Sequence, residues 1–123
     1  MAARKTLLIV YHSFTDGTRQ MAEAARAGAT ADEGCTARLL HAAQAGAPDV
    51  LAADGYLFAT PENLAAMSGQ LKDFFDRSYY AVLDRVNGRP YASLICAGSD
   101  GSNAARQVAR IATGWRLKAV AEP

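Results

Sequence analysis

The chain has 123 residues, half of them hydrophobic and a fifth charged, which is enough for one domain with a real core. Thirteen Lys and Arg against twelve Asp and Glu leave a net charge of +1, so neither a basic nucleic-acid face nor a strongly acidic surface is indicated. The longest apolar run, Thr6 to Tyr11, is far short of the roughly 20 residues of a membrane helix, and the basic stretch Met1 to Lys5 before it leads to no cleavage-site pattern.

Thr6-Leu-Leu-Ile-Val-Tyr11 is a continuous apolar run rich in β-formers, the pattern of a strand buried on both faces of a parallel sheet. A helix follows, with Met21, Ala24, Ala25, Gly28 and Ala29 at helical spacing and Arg19, Glu23 and Arg26 left for solvent. A weaker strand occupies Thr36 to His41. The segment Ala42 to Asp49, with Gly46 and Pro48, reads as a loop or a single helical turn. Gly55-Tyr-Leu-Phe-Ala-Thr60 is a second buried strand. Beyond it Ser68 can cap a helix in which Leu71, Phe74, Phe75, Ser78, Tyr79 and Val82 share one face, opposite Lys72, Asp73, Asp76 and Arg77. Tyr91 to Ala97 is the third buried strand. The next helix runs from about Asn103 to Ala112, with Ala105, Val108, Ile111 and Ala112 inward and Gly114 as its stop. A weak last strand spans Arg116 to Ala121.

This alternation predicts a single α/β domain, a doubly wound sheet with right-handed crossovers. The sequence stops at Glu122-Pro123, directly after the fifth strand. A doubly wound sheet covers that edge with another helix, so the sequence is expected to be truncated relative to the complete fold. Cys35 and Cys96 form no CxxC pattern and read as small apolar residues in a reducing compartment, although sequence alone also permits their pairing. A cytoplasmic protein is expected.

In an open α/β sheet, ligands bind beyond the carboxyl ends of the strands. Three loops of unusual composition fall there. His12-Ser-Phe-Thr-Asp-Gly-Thr18 crowds hydroxyls and a glycine in front of a helix, an arrangement that suits a phosphate dianion. It contains no Lys or Arg, and it is not the triphosphate loop GxxxxGK(S/T). An ordinary capped turn fits it equally well. Thr60-Pro-Glu-Asn-Leu-Ala-Ala-Met67 places a proline at a strand exit, so that the next peptide groups can face a flat heteroaromatic ring; a simple βα turn is the plainer alternative. Ala97-Gly-Ser-Asp-Gly-Ser-Asn103 is a tight loop that can approach a ligand closely, or else a surface turn. It does not match GxGxxG. His12 stands at the mouth of this edge, His41 has no partner in sight, and no metal-ligand spacing occurs.

These residues resemble the flavodoxin-like superfamily, and within it the small FMN-binding NAD(P)H-dependent reductases. The resemblance covers nearly the whole chain. Ser13-Phe-Thr-Asp-Gly-Thr18 is similar to the flavodoxin phosphate signature. More specific is Thr60-Pro-Glu-Asn-Leu-Ala-Ala-Met-Ser-Gly-Gln-Leu-Lys, where a strand ends in Thr-Pro and Met-Ser-Gly-x-Leu-Lys opens the helix. The resemblance implies a flavodoxin-like five-stranded parallel sheet of order 2-1-3-4-5 that lacks its last helix. It implies FMN as cofactor, its phosphate on Ser13, Phe14, Thr15, Gly17 and Thr18 and its ring beside Pro61, Glu62, Asn63 and Leu64. Ala97, Gly98, Ser99, Asp100 and Gly101 would close the other side.

The loops lack the aromatic sandwich of electron-carrier flavodoxins, and the surface is not acidic. An uncovered ring face leaves room for a nicotinamide or a quinone. The expected function is therefore an oxidoreductase taking hydride from NAD(P)H and passing electrons to a small-molecule acceptor, with a flavodoxin-type carrier as the alternative. No side chain is compelled as acid or base. Response-receiver domains share the architecture but need clustered acids after the first strand, where Tyr11-His12-Ser13 stands instead. The resemblance also implies a homo-oligomer, while the net charge and the short apolar runs lead us to expect no nucleic-acid or membrane partner.

Overall fold

The computed structural model describes residues 4–123; Met1, Ala2 and Ala3 of the basic amino-terminal stretch lie outside the described residues. Strand β1 (Lys5–Tyr11) leads to helix α1 (Gly17–Thr30), then β2 (Cys35–His41), α2 (Ala47–Ala52) and β3 (Gly55–Asn63). A two-residue strand β4 (Ala66–Met67), helix α3 (Gly69–Val82), β5 (Pro90–Cys96), α4 (Ser102–Gly114) and β6 (Lys118–Ala119) complete the order. The main sheet runs β2-β1-β3-β5-β6, every pair parallel. With the hairpin strand β4 set aside, this is the expected order 2-1-3-4-5 of a flavodoxin-like fold.

The elements form where the side chains require them. Leu8, Ile9 and Val10 are all fully buried on consecutive positions of β1, so both faces of the strand are covered. Ser68 accepts the Leu71 N–H at 3.1 Å and starts α3. The Ala42–Asp49 connection turns out to lead into a six-residue helix: Asp49 accepts the Gly46 N–H at 3.0 Å and Pro48 needs no donor partner in the first turn. The last strand is shorter than expected, two residues at the edge of the sheet.

The larger core lies on the face of the sheet carrying Leu8, Val10, Tyr56, Phe58 and Tyr91, under α2, α3 and α4. Phe58 is its centre, with ring centroids 5.0 Å from Phe75, 6.0 Å from Tyr56, 6.1 Å from Tyr91 and 6.4 Å from both Phe74 and Trp115. Trp115, just past α4, is fully buried here. The other face is thinner. Ile9 and Ala59 pack on Ala22 of α1, with Leu7, Leu57 and Leu94 partly buried beside them.

Two helices are rotated from the faces read in the sequence. In α1, Thr18 and Ala22 are buried, whereas Ala24 and Gly28 are exposed. In α4, Ala104, Val108 and Ala112 are buried while Ala105 and Ile111 are only half-buried. Small alanine side chains let the backbone approach the sheet closely, and that approach decides the buried face. Arg77, read as a solvent residue, donates to the carbonyls of Ala42 (2.8 Å) and Ala45 (3.0 Å) and ties α3 to the chain after β2. Cys35 opens β2 and Cys96 ends β5, at opposite ends of the parallel strands, and both are free thiols. Among the described residues no helix is long and apolar enough to cross a membrane.

Truncating Phe58 to alanine removes the ring that five others touch, and about 3–5 kcal/mol of stability should go with it. Phe14→Ala, at a residue 78% exposed, should stay within about 0.5 kcal/mol of the parent. Urea unfolding of both variants checks the contrast.

Candidate functional site

Three connections converge at the carboxyl edge of the sheet. The first, residues 12–16, is held beside β3 by the His12 N–H donating to the Ala59 carbonyl at 3.2 Å, while Ala42 N–H donates to the Tyr11 carbonyl at 2.7 Å. The chain then turns through Asp16 in the left-handed region (φ 79°) and enters α1 at Gly17. Asp16 does not cap that helix. Its carboxylate lies on Arg19, with one contact at 2.8 Å, and takes a longer one from Gln20 at 3.3 Å. Those hydrogen bonds hold its carboxyl at about 2, so it stays ionised and matched to Arg19, which also reaches Glu23 at 2.7 Å. The first turn of α1 is thus left without a side-chain cap, beside a loop in which Ser13 Oγ is enclosed and has no partner. Phe14 and Thr15 are exposed, Thr18 is buried, and a Cβ on Gly17 would stand 3.0 Å from Cys96 Sγ. That approach brings the first connection against the end of β5.

The second connection is not a plain loop. β3 continues through Pro61, Glu62 and Asn63 and folds back as a hairpin, Glu62 opposite Met67 and Asn63 opposite Ala66. Leu64 (φ 50°) and Ala65 (φ 63°) both occupy the left-handed region, the backbone of a two-residue turn that usually calls for Asn-Gly. Non-glycine residues there cost about 1–2 kcal/mol each. The surroundings hold the turn in place. Thr60 Oγ1 accepts the Ser68 N–H at 2.9 Å and donates to the Pro61 carbonyl at 2.9 Å. The start of α4 grips the hairpin from outside: Glu62 Oε2 accepts the Ala104 N–H at 3.0 Å, Gln107 Oε1 accepts the Met67 N–H at 2.9 Å, and Asn103 donates to the Ala65 carbonyl. Leu64 itself is fully exposed.

In the third connection Gly98, Ser99 and Asp100 are exposed and Ala97 is half-buried. Asp100 accepts the Ser102 N–H, which holds its carboxyl below the usual carboxylate value. Gly101 (φ 71°) is buried, and a Cβ there would meet Ile95 Cγ2 at 3.1 Å and Ala97 Cβ at 3.2 Å. A cleft of about 390 Å³ opens between Ala97, Ser99, Asp100 and Ser102.

The structure sets Gly17 of the first connection against Cys96, the residue before the third, and links the second connection to the start of α4. Phe14 and Leu64 are the outliers, standing clear of the protein on two of the three connections. Sequence reasoning missed Asn103 and Gln107 as the residues that position the hairpin. It also left His41 without a partner. In the structure His41 lies edge-on to His12, ring centroids 5.4 Å apart, and edge-on to Tyr11.

A larger depression, about 440 Å³, lies at the opposite edge among Lys5, Thr6, Asp54, Gly55 and Arg89. Its polar groups are already engaged: Asp54 accepts the Thr6 N–H at 2.8 Å, and Arg89 donates to the carbonyls of Leu51 and Ala53 at 3.0 and 2.7 Å. The open donors are at the carboxyl edge. Among the described residues no group of three or more His, Cys, Asp or Glu is placed to hold a metal ion.

Comparison with known proteins agrees with this geometry. The family model of the NADPH-dependent FMN reductases matches residues 30–122. A flavodoxin from Aquifex aeolicus (strain VF5) is 33% identical over 95 residues, covering 77% of this chain and 51% of that protein. The chain thus spans about half the length of that relative. Among solved structures, an archaeal flavodoxin superposes with a TM-score of 0.82 at 17% identity, covering 94% of this chain and 78% of that one. A WrbA-like flavodoxin from Agrobacterium tumefaciens does so with 0.74 at 23% identity, covering 92% and 74%. At these identities the structures speak for the fold.

The hairpin and Gly101 give a stability test of the site's scaffold. Gly101→Ala, forced into a left-handed backbone with two contacts near 3.1–3.2 Å, should lose about 1–2 kcal/mol or more. Glu62→Ala should lose about 0.5–2 kcal/mol by uncapping α4, with Glu62→Gln closer to the parent. Denaturant midpoints measured side by side read both.

Proposed function

The chain belongs to the NADPH-dependent FMN reductase family, and on that premise we propose that it is an FMN-dependent oxidoreductase. It takes a hydride from NAD(P)H and passes electrons to a quinone, a flavin or another small acceptor. The observation that carries the reading is the first connection. An uncapped helix start, an enclosed Ser13 Oγ with no partner and a glycine close to Cys96 fall together where β1 passes into α1. The only carboxylate in that loop, Asp16, is neutralised on Arg19 rather than aimed at the helix start. These residues fit a phosphate monoester.

In this reading Ser13, Thr15, Gly17, Thr18 and the peptide beside Phe14 hold the phosphate. Pro61, Glu62, Asn63 and Leu64 flank one side of the ring, and Ala97, Gly98, Ser99, Asp100 and Gly101 the other. FMN, when bound, supplies hydride acceptance from a nicotinamide and delivery of electrons to the acceptor. The protein's share is positional. The peptide N–H groups of the Leu64–Ala65 turn are the donors for negative charge on the ring, pre-set by the grip of α4 on the hairpin. No side chain acts as general acid or base. Acceptor and donor occupy the same open face in turn, since the second and third connections carry no aromatic side chain to cover it.

A flavodoxin-type carrier is the second reading, favoured by the Aquifex relative. Self-association, with the exposed Phe14, Leu64 and Tyr80 as contact candidates, belongs to the proposal as well.

An absorption spectrum tests both readings. The chain titrated with FMN should show bands near ~375 and ~450 nm that bleach on adding NADPH or NADH. Bleaching by dithionite alone selects the carrier. Ser13→Ala should weaken FMN about tenfold, the loss of one hydrogen bond to a charged oxygen, while riboflavin affinity changes little.

A further inference from the structure

Beside the first connection stand two imidazoles. His12 directly follows β1 and His41 ends β2; their rings meet edge-on with centroids 5.4 Å apart and planes at 87°. His41 is fixed in orientation, because its Nδ1 accepts the Ala43 N–H at 3.0 Å. Its proton when neutral therefore sits on Nε2. His12 is different. Its Nδ1 is enclosed and has no partner, like the Oγ of the neighbouring Ser13. Two adjacent enclosed polar atoms without partners are a feature that a phosphate would satisfy, since each could donate to an anionic oxygen.

The charges around the pair sharpen the point. Within the first connection and α1, Asp16, Arg19 and Glu23 neutralise one another. On β2, Arg38 is paired with Asp49 of α2 at 2.8 Å. From α3, Arg77 spends its guanidinium on Asp73 and on the carbonyls of Ala42 and Ala45. At the end of β3, Glu62 is held by Ala104 N–H, and after β5 Asp100 is held by Ser102 N–H. From α4, Arg106 is exposed, makes no ion pair among the described residues, and acts on Asp100 of the third connection rather than on the first. Next to the Ser13 hydroxyl, the unpartnered group that can gain a positive charge for a phosphate dianion seated there is the His12 imidazole.

We propose that His12, backed by His41, is a proton-linked binding residue for the cofactor phosphate, and that it takes up a proton as a phosphate monoester seats in the Ser13–Thr18 loop. This rests on the FMN reading above. Without ligand, burial first and the field of His41 second hold the His12 imidazole below its ordinary value, so it is neutral near pH 7. A dianion within ~4–6 Å favours the charged form and raises that value. The sign follows from linkage. A group protonated more readily in the complex adds affinity that is fully present below the value of the unliganded protein. That affinity is lost as pH rises through the value of the complex. FMN's own phosphate, whose second ionisation lies near ~6, has the opposite slope, because acid converts the dianion to a monoanion. Above that pH the two effects separate cleanly.

The experiment is calorimetric titration of the full chain with FMN and with riboflavin between pH 6.5 and 8.5, in non-phosphate buffers of different ionisation enthalpy, together with NMR titration of the two histidines. The expected result is uptake of up to about one proton per FMN at neutral pH, none for riboflavin, and an FMN Kd that rises with pH by at most ~10-fold per unit. The His12 resonance should titrate at higher pH in the FMN complex than in the free protein. His12→Gln should abolish the uptake and flatten the pH slope while riboflavin still binds; His41→Gln should keep the uptake and shift its midpoint upward. FMN binding without proton uptake, uptake unchanged in His12→Gln, or equal uptake with riboflavin overturns the inference and leaves the FMN reading standing. A chain that binds no flavin at any pH overturns both.

Discussion

Phe58 is enclosed by the rings of Tyr56, Phe74, Phe75, Tyr91 and Trp115 on one face of β3, while the next residue, Ala59, packs with Ala22 of α1 on the other. Everything functional lies just beyond this two-sided burial. Because the strand is immobilised in its middle, Thr60 emerges at a fixed point, fully buried, and its hydroxyl serves both the Ser68 N–H and the Pro61 carbonyl. The cap of α3 and the exit of β3 are thereby one unit. A hairpin whose two turn residues are strained can persist only on such a base. The strain at Leu64 and Ala65 is set against aromatic burial less than ten residues away along the chain.

The hairpin is also bound to α4, through Glu62, Asn103 and Gln107. Since α4 begins directly after Gly101, the second and third connections share one rigid support, and a change at either is transmitted to the other. The first connection is supported separately, by α1 and by the contact of Gly17 with Cys96. In the proposed function the first connection would serve the phosphate, through charge and N–H donors, and the second and third the ring, through shape.

How much of this was legible in the sequence depended on contrast. The runs Thr6–Tyr11, Gly55–Thr60 and Tyr91–Ala97 were readable because burial on both faces makes a strand continuously apolar. Helix α3 was readable because large rings alternate with charges at helical spacing. The face of α1 was not read correctly, since Thr18, a polar residue, supplies part of the buried stripe. The hairpin stayed hidden because its strand has two residues and its turn is Leu-Ala rather than Asn-Gly. The ties that fix it join residues 38 to 42 positions apart, and no local pattern reports such a contact. The three connections themselves were found because Gly, Ser, Thr, Asp and Pro cluster after buried strands. What they bind to internally was not, and His41 is the clearest case. Its relation to His12 exists only because β2 lies beside β1, in register Tyr11 with His41.

Charge decides what kind of phosphate site this is. Where a site supplies a fixed Lys or Arg, the ligand's charge is met at every pH and binding does not depend on the proton. Here the arginine that follows the first connection, Arg19, is committed to Asp16 and Glu23. The remaining favourable potential comes from the helix start, and beside it, at the junction of β1 and β2, stands His12 against His41. A helix start offers about half a unit charge, which falls well short of a dianion. The deficit has to be made up by solvent counter-ions, by a partner or by a titrating side chain. The enclosed, partnerless nitrogen of His12 is the group placed to close it.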